Sequence, residues 1–419
     1  MKSQKFIAGL FKRKAQWVLS SSLMTKFTGL LLSLIVVRLL TVEDYGVITL
    51  YKTIFLFLIP LIGLGLNHSL LRFGAIASSA SDKVDFLLNA VFFGISASLV
   101  IGVIFFIILP FVPNLYFSSS LFISVYSFYQ GLYILNCIFN FYRITNNNKS
   151  YSLASASFSL LTLIITSTAV YLYQTPTSFF TGQLISILVF LLLLICLKQK
   201  QVRDYSFNFV RALSANAPHL KYGLSVAFGG LASQLMLASD NIMLSIMGES
   251  LSSIGLYGVC SLIFVNALFI PSVILITDFV YLSNLSLHKV KSYLFEYWKF
   301  IIVPLLSVCI SFILWGDVIL SFLFGDIYTQ AAKTLQILSL GIFFGVMFRV
   351  PIGNLLNAKG LASFNVCISL IFALVNIVLN YILIPLYGIN GAAWATVCTI
   401  CISSAISLFY LLYKLQGKV

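Results

Sequence analysis

Five ionisable side chains stand where a hydrocarbon layer would leave them no water. Lys26, Lys52 and Arg349 lie well inside apolar runs, and Asp240 and Asp278 are the acidic counterparts. A charge at mid-bilayer costs about 2.5–3.5 kcal/mol on insertion scales, so such groups face a partner or a water-filled cavity rather than lipid. Lys26 and Arg349 point to a functional cavity, because helix-to-helix adhesion does not need a full charge. Asp240 is open to three readings: a salt-bridge partner of a buried Lys, a cation or proton site, or a residue near the outer surface.

Helical spacing gathers polar groups around these charges. Ser22, Lys26, Gly29 and Ser33 fall at offsets 0, 4, 7 and 11, one face of a helix. Gly229, Ser233, Met236 and Asp240 repeat that pattern, and Asn365, Ser369, Asn376 and Asn380 fall at 0, 4, 11 and 15. Lys52 shares a stripe with Leu56, Pro60, Gly63 and Asn67, and Arg349 lies between Gly345 and Gly353. The expected substrate-binding cavity is therefore lined by Lys26, Lys52, Arg349, Asn376 and Asn380. The bland alternative for the Ser, Gly and Asn positions is small-residue helix packing. Arg38, Arg72 and Arg143 read as span-end anchors whose stems snorkel to the interface. His68 and His219 also read as interfacial.

No nucleotide-binding loop, HExxH, GxSxG or paired loop carboxylate accompanies these residues, so neither an enzyme nor an ATP-driven pump is expected. Cys398 and Cys401 have CxxC spacing, but they sit in an apolar run without a second pair and read as helix packing. No metal site and no cofactor is expected.

The elements that must hold these groups follow from composition. Of 419 residues, 60 % are hydrophobic and 9 % charged, against about 25 % charged in soluble chains. The apolar residues come in long runs, which marks a polytopic α-helical membrane protein. Twelve spans are expected, near 16–38, 46–71, 86–110, 116–141, 151–173, 178–197, 219–247, 254–282, 299–323, 332–356, 362–384 and 391–413. With both termini inside, twenty of the 25 Lys and Arg residues fall on the cytoplasmic side. The net charge of +14 is thus a topology signal, and nucleic acid is not an expected partner.

The longest loop, 198–218, divides the chain into six-span halves, 1–197 and 219–419. A weak parallel repeat supports the division: Leu40-Thr-Val-Glu-Asp-Tyr-Gly-Val47 resembles Leu251-Ser-Ser-Ile-Gly-Leu-Tyr-Gly-Val259. Two related bundles with a site between them is a common transporter design.

Several segments carry a family resemblance. Lys26-Phe-Thr-Gly29, Val37-Arg-Leu-Leu-Thr-Val-Glu-Asp-Tyr-Gly46, Gly63-Leu-Gly65 and Leu71-Arg-Phe73 resemble the opening of Wzx-type polysaccharide flippases of the multidrug/oligosaccharidyl-lipid/polysaccharide (MOP) exporter superfamily. Tyr222-Gly-Leu224, Ser239-Asp-Asn-Ile-Met-Leu244, Gly255-Leu-Tyr-Gly258 and Leu383-Ile-Pro-Leu-Tyr-Gly-Ile-Asn-Gly-Ala-Ala-Trp-Ala-Thr396 are similar to the later half. The resemblance implies an all-α, MATE-like fold of two six-helix bundles in a bacterial inner membrane. It implies a flippase for undecaprenyl-pyrophosphate-linked repeat units, such as those of O-antigen, working by alternating access. Lys26 matches the family's cationic cavity and Asp240 its span-seven Asp. Lipid-linked oligosaccharide and membrane lipids are the implied partners, with other surface-polysaccharide assembly proteins beside them. The competing readings are a small-molecule or multidrug antiporter of the same superfamily, which the basic charges disfavour, and a membrane polysaccharide polymerase.

Overall fold

The computed structural model describes residues 15–77, 79–202, 217–284 and 287–415. Among these every regular element is helical, and each expected span has its helix. The order is α1 (Ala15–Leu39), α2 (Val42–Leu58), α3 (Leu66–Ile76), α4 (Ala80–Ile108), α5 (Ser119–Ile144), α6 (Asn148–Tyr173) and α7 (Pro176–Val202). Then come α8 (Ala217–Ile246), α9 (Leu251–Asn284), α10 (Leu287–Phe324), α11 (Ala332–Phe344), α12 (Val350–Ala358), α13 (Ala362–Tyr387) and α14 (Ile389–Leu415). Among the described residues ten helices are long and apolar enough to cross a membrane, or eleven with the bent α2–α3 pair. Helix α8 adds a further 30 residues. Apolar length dictates this outcome, since backbone polar groups in lipid are satisfied only within helices or closed barrels. The Asp278 side chain, residues 1–14 and most of the 198–218 loop lie outside the described part.

The connections follow from local chemistry. Ser79 caps α4 by accepting the Asp82 N–H at 3.0 Å, and Asn147 caps α6 by accepting the Ser150 N–H at 3.2 Å. Span two is broken. Helices α2 and α3 meet at 46°, across Pro60 and a turn in which Gly63, Leu64 and Gly65 all have positive φ. A side chain at Gly65 would strike the Gly223 carbonyl at 2.1 Å, so glycine serves both the φ and the close approach. The stripe through Lys52, Pro60, Gly63 and Asn67 is therefore not one straight face.

The chain forms two compact units. One comprises the residues up to Thr41 and Ile54–Leu231; the other comprises Val42–Thr53 and the residues from Ala232 onward. In the first, Phe55 stacks on Tyr129 with ring centroids 5.2 Å apart. In the second, Leu282, Leu294, Ile352, Leu355, Leu356 and Leu411 form a buried apolar cluster. Also within the second unit, the Val42–Gly46 and Leu251–Gly255 parts of the weak repeat lie against each other. A Cβ on Gly46 would sit 1.9 Å from the Leu251 carbonyl oxygen, and one on Gly255 would sit 2.1 Å from that of Val42. Small residues let the two backbones approach.

Candidate functional site

The polar stripe of α13 carries two charges rather than one cavity wall. Near its start, Asn365 and Ser369 take the guanidinium of Arg349: Nη1 donates to Asn365 Oδ1 at 3.0 Å and Nη2 to Ser369 Oγ at 2.9 Å. Asn365 passes the chain on, donating to Asn357 Oδ1 at 3.2 Å. Two turns further, Asn376 and Asn380 serve Asp240. Ser369 and Asn376 are seven residues apart, roughly 10 Å along the axis, so the two charges occupy separate stations of one helix face.

Arg349 reaches its station through a departure from α-helical geometry. Residues Gly345–Arg349 form a π-turn between α11 and α12, with the Val350 N–H donating to the Gly345 carbonyl. Pro351 has no N–H. It therefore leaves the Met347 carbonyl without an α-type donor and the Val346 carbonyl without a π-type donor. Helix α10 supplies both. Tyr297 Oη donates to the Val346 oxygen at 2.8 Å, and Trp298 Nε1 donates to the Met347 oxygen at 2.8 Å. Gly353, one turn beyond Arg349, leaves room for the guanidinium, since a Cβ there would meet Nη1 at 3.1 Å. Arg349 is 8 % exposed. Single-turn π-bulges recur at functional sites.

Asp240 sits in a closed cradle drawn from four helices. Its Oδ2 accepts from Tyr257 of α9 at 2.5 Å and from Thr396 of α14. Its Oδ1 accepts from Asn380 Nδ2 at 2.8 Å. Asn380 also donates to Asn376 Oδ1 at 3.0 Å, which accepts from Ser239 Oγ at 2.6 Å. Asp240 is 7 % exposed and Asn380 fully buried. Every hydrogen-bond partner of the carboxylate is neutral, and among the described residues no basic side chain lies within ion-pair distance. The salt-bridge reading of Asp240 finds no basic partner among the described residues. Asn376 and Asn380 face this carboxylate rather than open cavity, because a buried carboxylate must be hydrogen-bonded.

The remaining residues are dispersed. Lys26 is exposed on α1 in the first unit, on the same face as Ser22 and Gly29, which are also exposed. Lys52 is half-buried on α2 in the second unit, beside the fully buried Tyr51 and Thr53. Arg38, Arg72 and Arg143 are exposed near helix ends, with Arg72 over the rings of Tyr222 and Phe73 and Arg143 over Tyr151. Among the described residues no three His, Cys, Asp or Glu side chains gather as a metal would require.

Periodicity along single helices missed Ser239, Tyr257, Tyr297, Trp298 and Thr396. These act across helices, where one-helix spacing carries no signal. Tyr257 and Thr396 nonetheless lie inside the quoted motifs, and Pro351 following Arg349 could have flagged the turn.

A model of the family described as "Polysaccharide biosynthesis protein" matches residues 11–277. The chain is 35 % identical over 116 residues to the capsular polysaccharide biosynthesis protein CapF of Staphylococcus aureus, covering 27 % of this chain and 28 % of that one. It is 37 % identical over 100 residues to an uncharacterised membrane protein of Methanocaldococcus jannaschii, covering 24 % and 19 %. These matches thus span only 28 % and 19 % of the relatives' own lengths. Among solved structures, an inward-facing multidrug-resistance MATE transporter of the MOP superfamily aligns at a TM-score of 0.69 and 15 % identity, covering 94 % of this chain and 95 % of that one. The lipid II flippase MurJ in an inward closed conformation aligns at 0.69 and 17 % identity, covering 95 % and 87 %. The chain belongs to the polysaccharide biosynthesis protein family and has the all-helical, MATE-like fold of the MOP superfamily.

Proposed function

We propose that this protein is a flippase that carries lipid-linked oligosaccharide repeat units of a surface polysaccharide across the bacterial cytoplasmic membrane, driven by an ion gradient. Membership of the family supports the substrate class, and the capsular relative and the lipid II flippase fold support transport of a lipid-linked sugar. The termini face the cytoplasm in this reading, on the distribution of Lys and Arg. In this reading the positive charges of Lys26, Lys52 and Arg349 attract the diphosphate of the carrier lipid and any acidic sugar. Alternating access exposes the substrate to each side of the membrane in turn.

The observation that carries the coupling is the Asp240 cradle. A buried carboxylate whose partners are all neutral donors has the chemistry to take up a proton or a small cation. Loading and release of that cation would bias the packing of α8, α9, α13 and α14, the four helices that meet there. The test uses proteoliposomes with a fluorescent lipid-linked oligosaccharide and an imposed proton or sodium gradient. Transbilayer movement faster than in protein-free vesicles, and accelerated by one gradient in wild type but not in Asp240→Asn, is the expected result. Movement no faster than in empty vesicles would overturn the proposal.

A further inference from the structure

One end of the first unit carries cations to which the proposed function assigns no role. Here α3 ends and α4 and α8 begin. The Arg72 guanidinium carbon lies 4.4 Å from the centre of the Tyr222 ring and 5.4 Å from that of Phe73. His219 fills the space behind, edge-on to Phe73 at 4.2 Å and to Phe86 at 4.9 Å. Phe73 also meets Tyr222 edge-on at 5.8 Å. Lys83 is one turn before Phe86 on α4, and its Nζ donates to the carbonyl of Ile144, the last residue of α5, at 3.1 Å. Along the same rim Arg143 lies over Tyr151 and Lys149 over Trp17.

The chemistry of this arrangement is specific. Asp82 and Asp85 stand in the opening turns of α4, yet among the described residues neither Arg72 nor Lys83 has a carboxylate within ion-pair distance. Their charges rest on ring faces and a helix-end carbonyl, which orient a cation without neutralising it. A guanidinium held over ring faces has N–H donors to offer oxyanions, and its fork matches a phosphate. Rings and long basic side chains at span ends sit at headgroup level in a membrane.

We infer that Arg72, supported by Tyr222 and Phe73 and joined by Lys83, binds the phosphate of a lipid headgroup at the membrane surface. The site lies within one unit and does not depend on the transport reading. Two lipids offer this chemistry: an anionic phospholipid and the diphosphate carrier.

Native mass spectrometry of the full-length protein in detergent distinguishes them, by titration with phosphatidylglycerol, undecaprenyl diphosphate and phosphatidylcholine. The variants are Arg72→Ala, Arg72→Lys and Lys83→Gln, with Lys299→Ala as a control that removes one surface charge elsewhere. Arg72→Ala is expected to weaken binding about tenfold, and Arg72→Lys to retain part of it if Arg72→Ala misfolds. Loss for both phosphate lipids assigns the site to anionic headgroups in general, and loss for undecaprenyl diphosphate alone assigns it to the carrier. Wild-type affinities for both lipids in Arg72→Ala, Arg72→Lys and Lys83→Gln would overturn the inference. So would an equal loss in Lys299→Ala.

Discussion

The indole N–H of Trp298 donates to the carbonyl of Met347 at 2.8 Å, the acceptor whose α-type backbone donor is missing because Pro351 has no N–H. Tyr297 does the same for Val346. A buried carbonyl deprived of its donor costs about 1–3 kcal/mol. Trp298→Phe should therefore destabilise the protein by about that amount, measured by thermal unfolding in detergent. Pro351→Ala returns a backbone N–H, so the same Trp298→Phe change should cost under about 1 kcal/mol in that background. Equal costs in both backgrounds would mean that Trp298 acts only by filling space.

Close helix approach gives a second contrast. A methyl on Gly46 would stand 1.9 Å from a backbone oxygen, whereas nothing lies within 4 Å of the corresponding position on Gly29. Backbone cannot yield as a side chain can. Gly46→Ala should lose at least about 1–3 kcal/mol. Gly29→Ala should be neutral or stabilising by up to about 1 kcal/mol, through helix propensity. Melting curves of the two variants decide it.

The Asp240 cradle predicts a separation of folding from coupling. Asp240→Asn keeps the side-chain volume while removing the charge, so the protein should insert and fold. Its transport should lose gradient dependence. Thr396→Val removes one donor to the carboxylate and should cost about 1–3 kcal/mol, with Thr396→Ser recovering most of it. An Asp240→Asn protein with a full gradient response would place the coupling elsewhere.

Lys26→Ala and Arg349→Ala should each impair export by roughly tenfold or more, the loss of a charge-assisted contact to phosphate, with normal membrane insertion. Complementation of a deletion strain, with immunoblots for expression, reads this out. Full activity in both variants at normal expression would remove the cationic path.

The helices were legible because lipid imposes one requirement on every span. Apolar runs of sufficient length mark their positions. The break in span two was less visible: Pro60 and Gly63 fitted a helical stripe as well as a turn, and packing against Gly223 and Tyr133 decides between them. Asn365, Ser369, Asn376 and Asn380 recur at helical spacing along α13. What they face was not legible, because Arg349 and Asp240 come from helices that periodicity along α13 cannot see. The π-turn was hidden for the same reason: its carbonyls are satisfied from α10, about fifty residues earlier in the chain.

The most direct test of the central claim is deletion of this gene in its host. Surface polysaccharide and lipid-linked repeat units on the inner leaflet are then followed together. The account predicts loss of the first and build-up of the second, both reversed by the intact gene. Unchanged surface polysaccharide, or single repeat units reaching the surface without long chains, would contradict it.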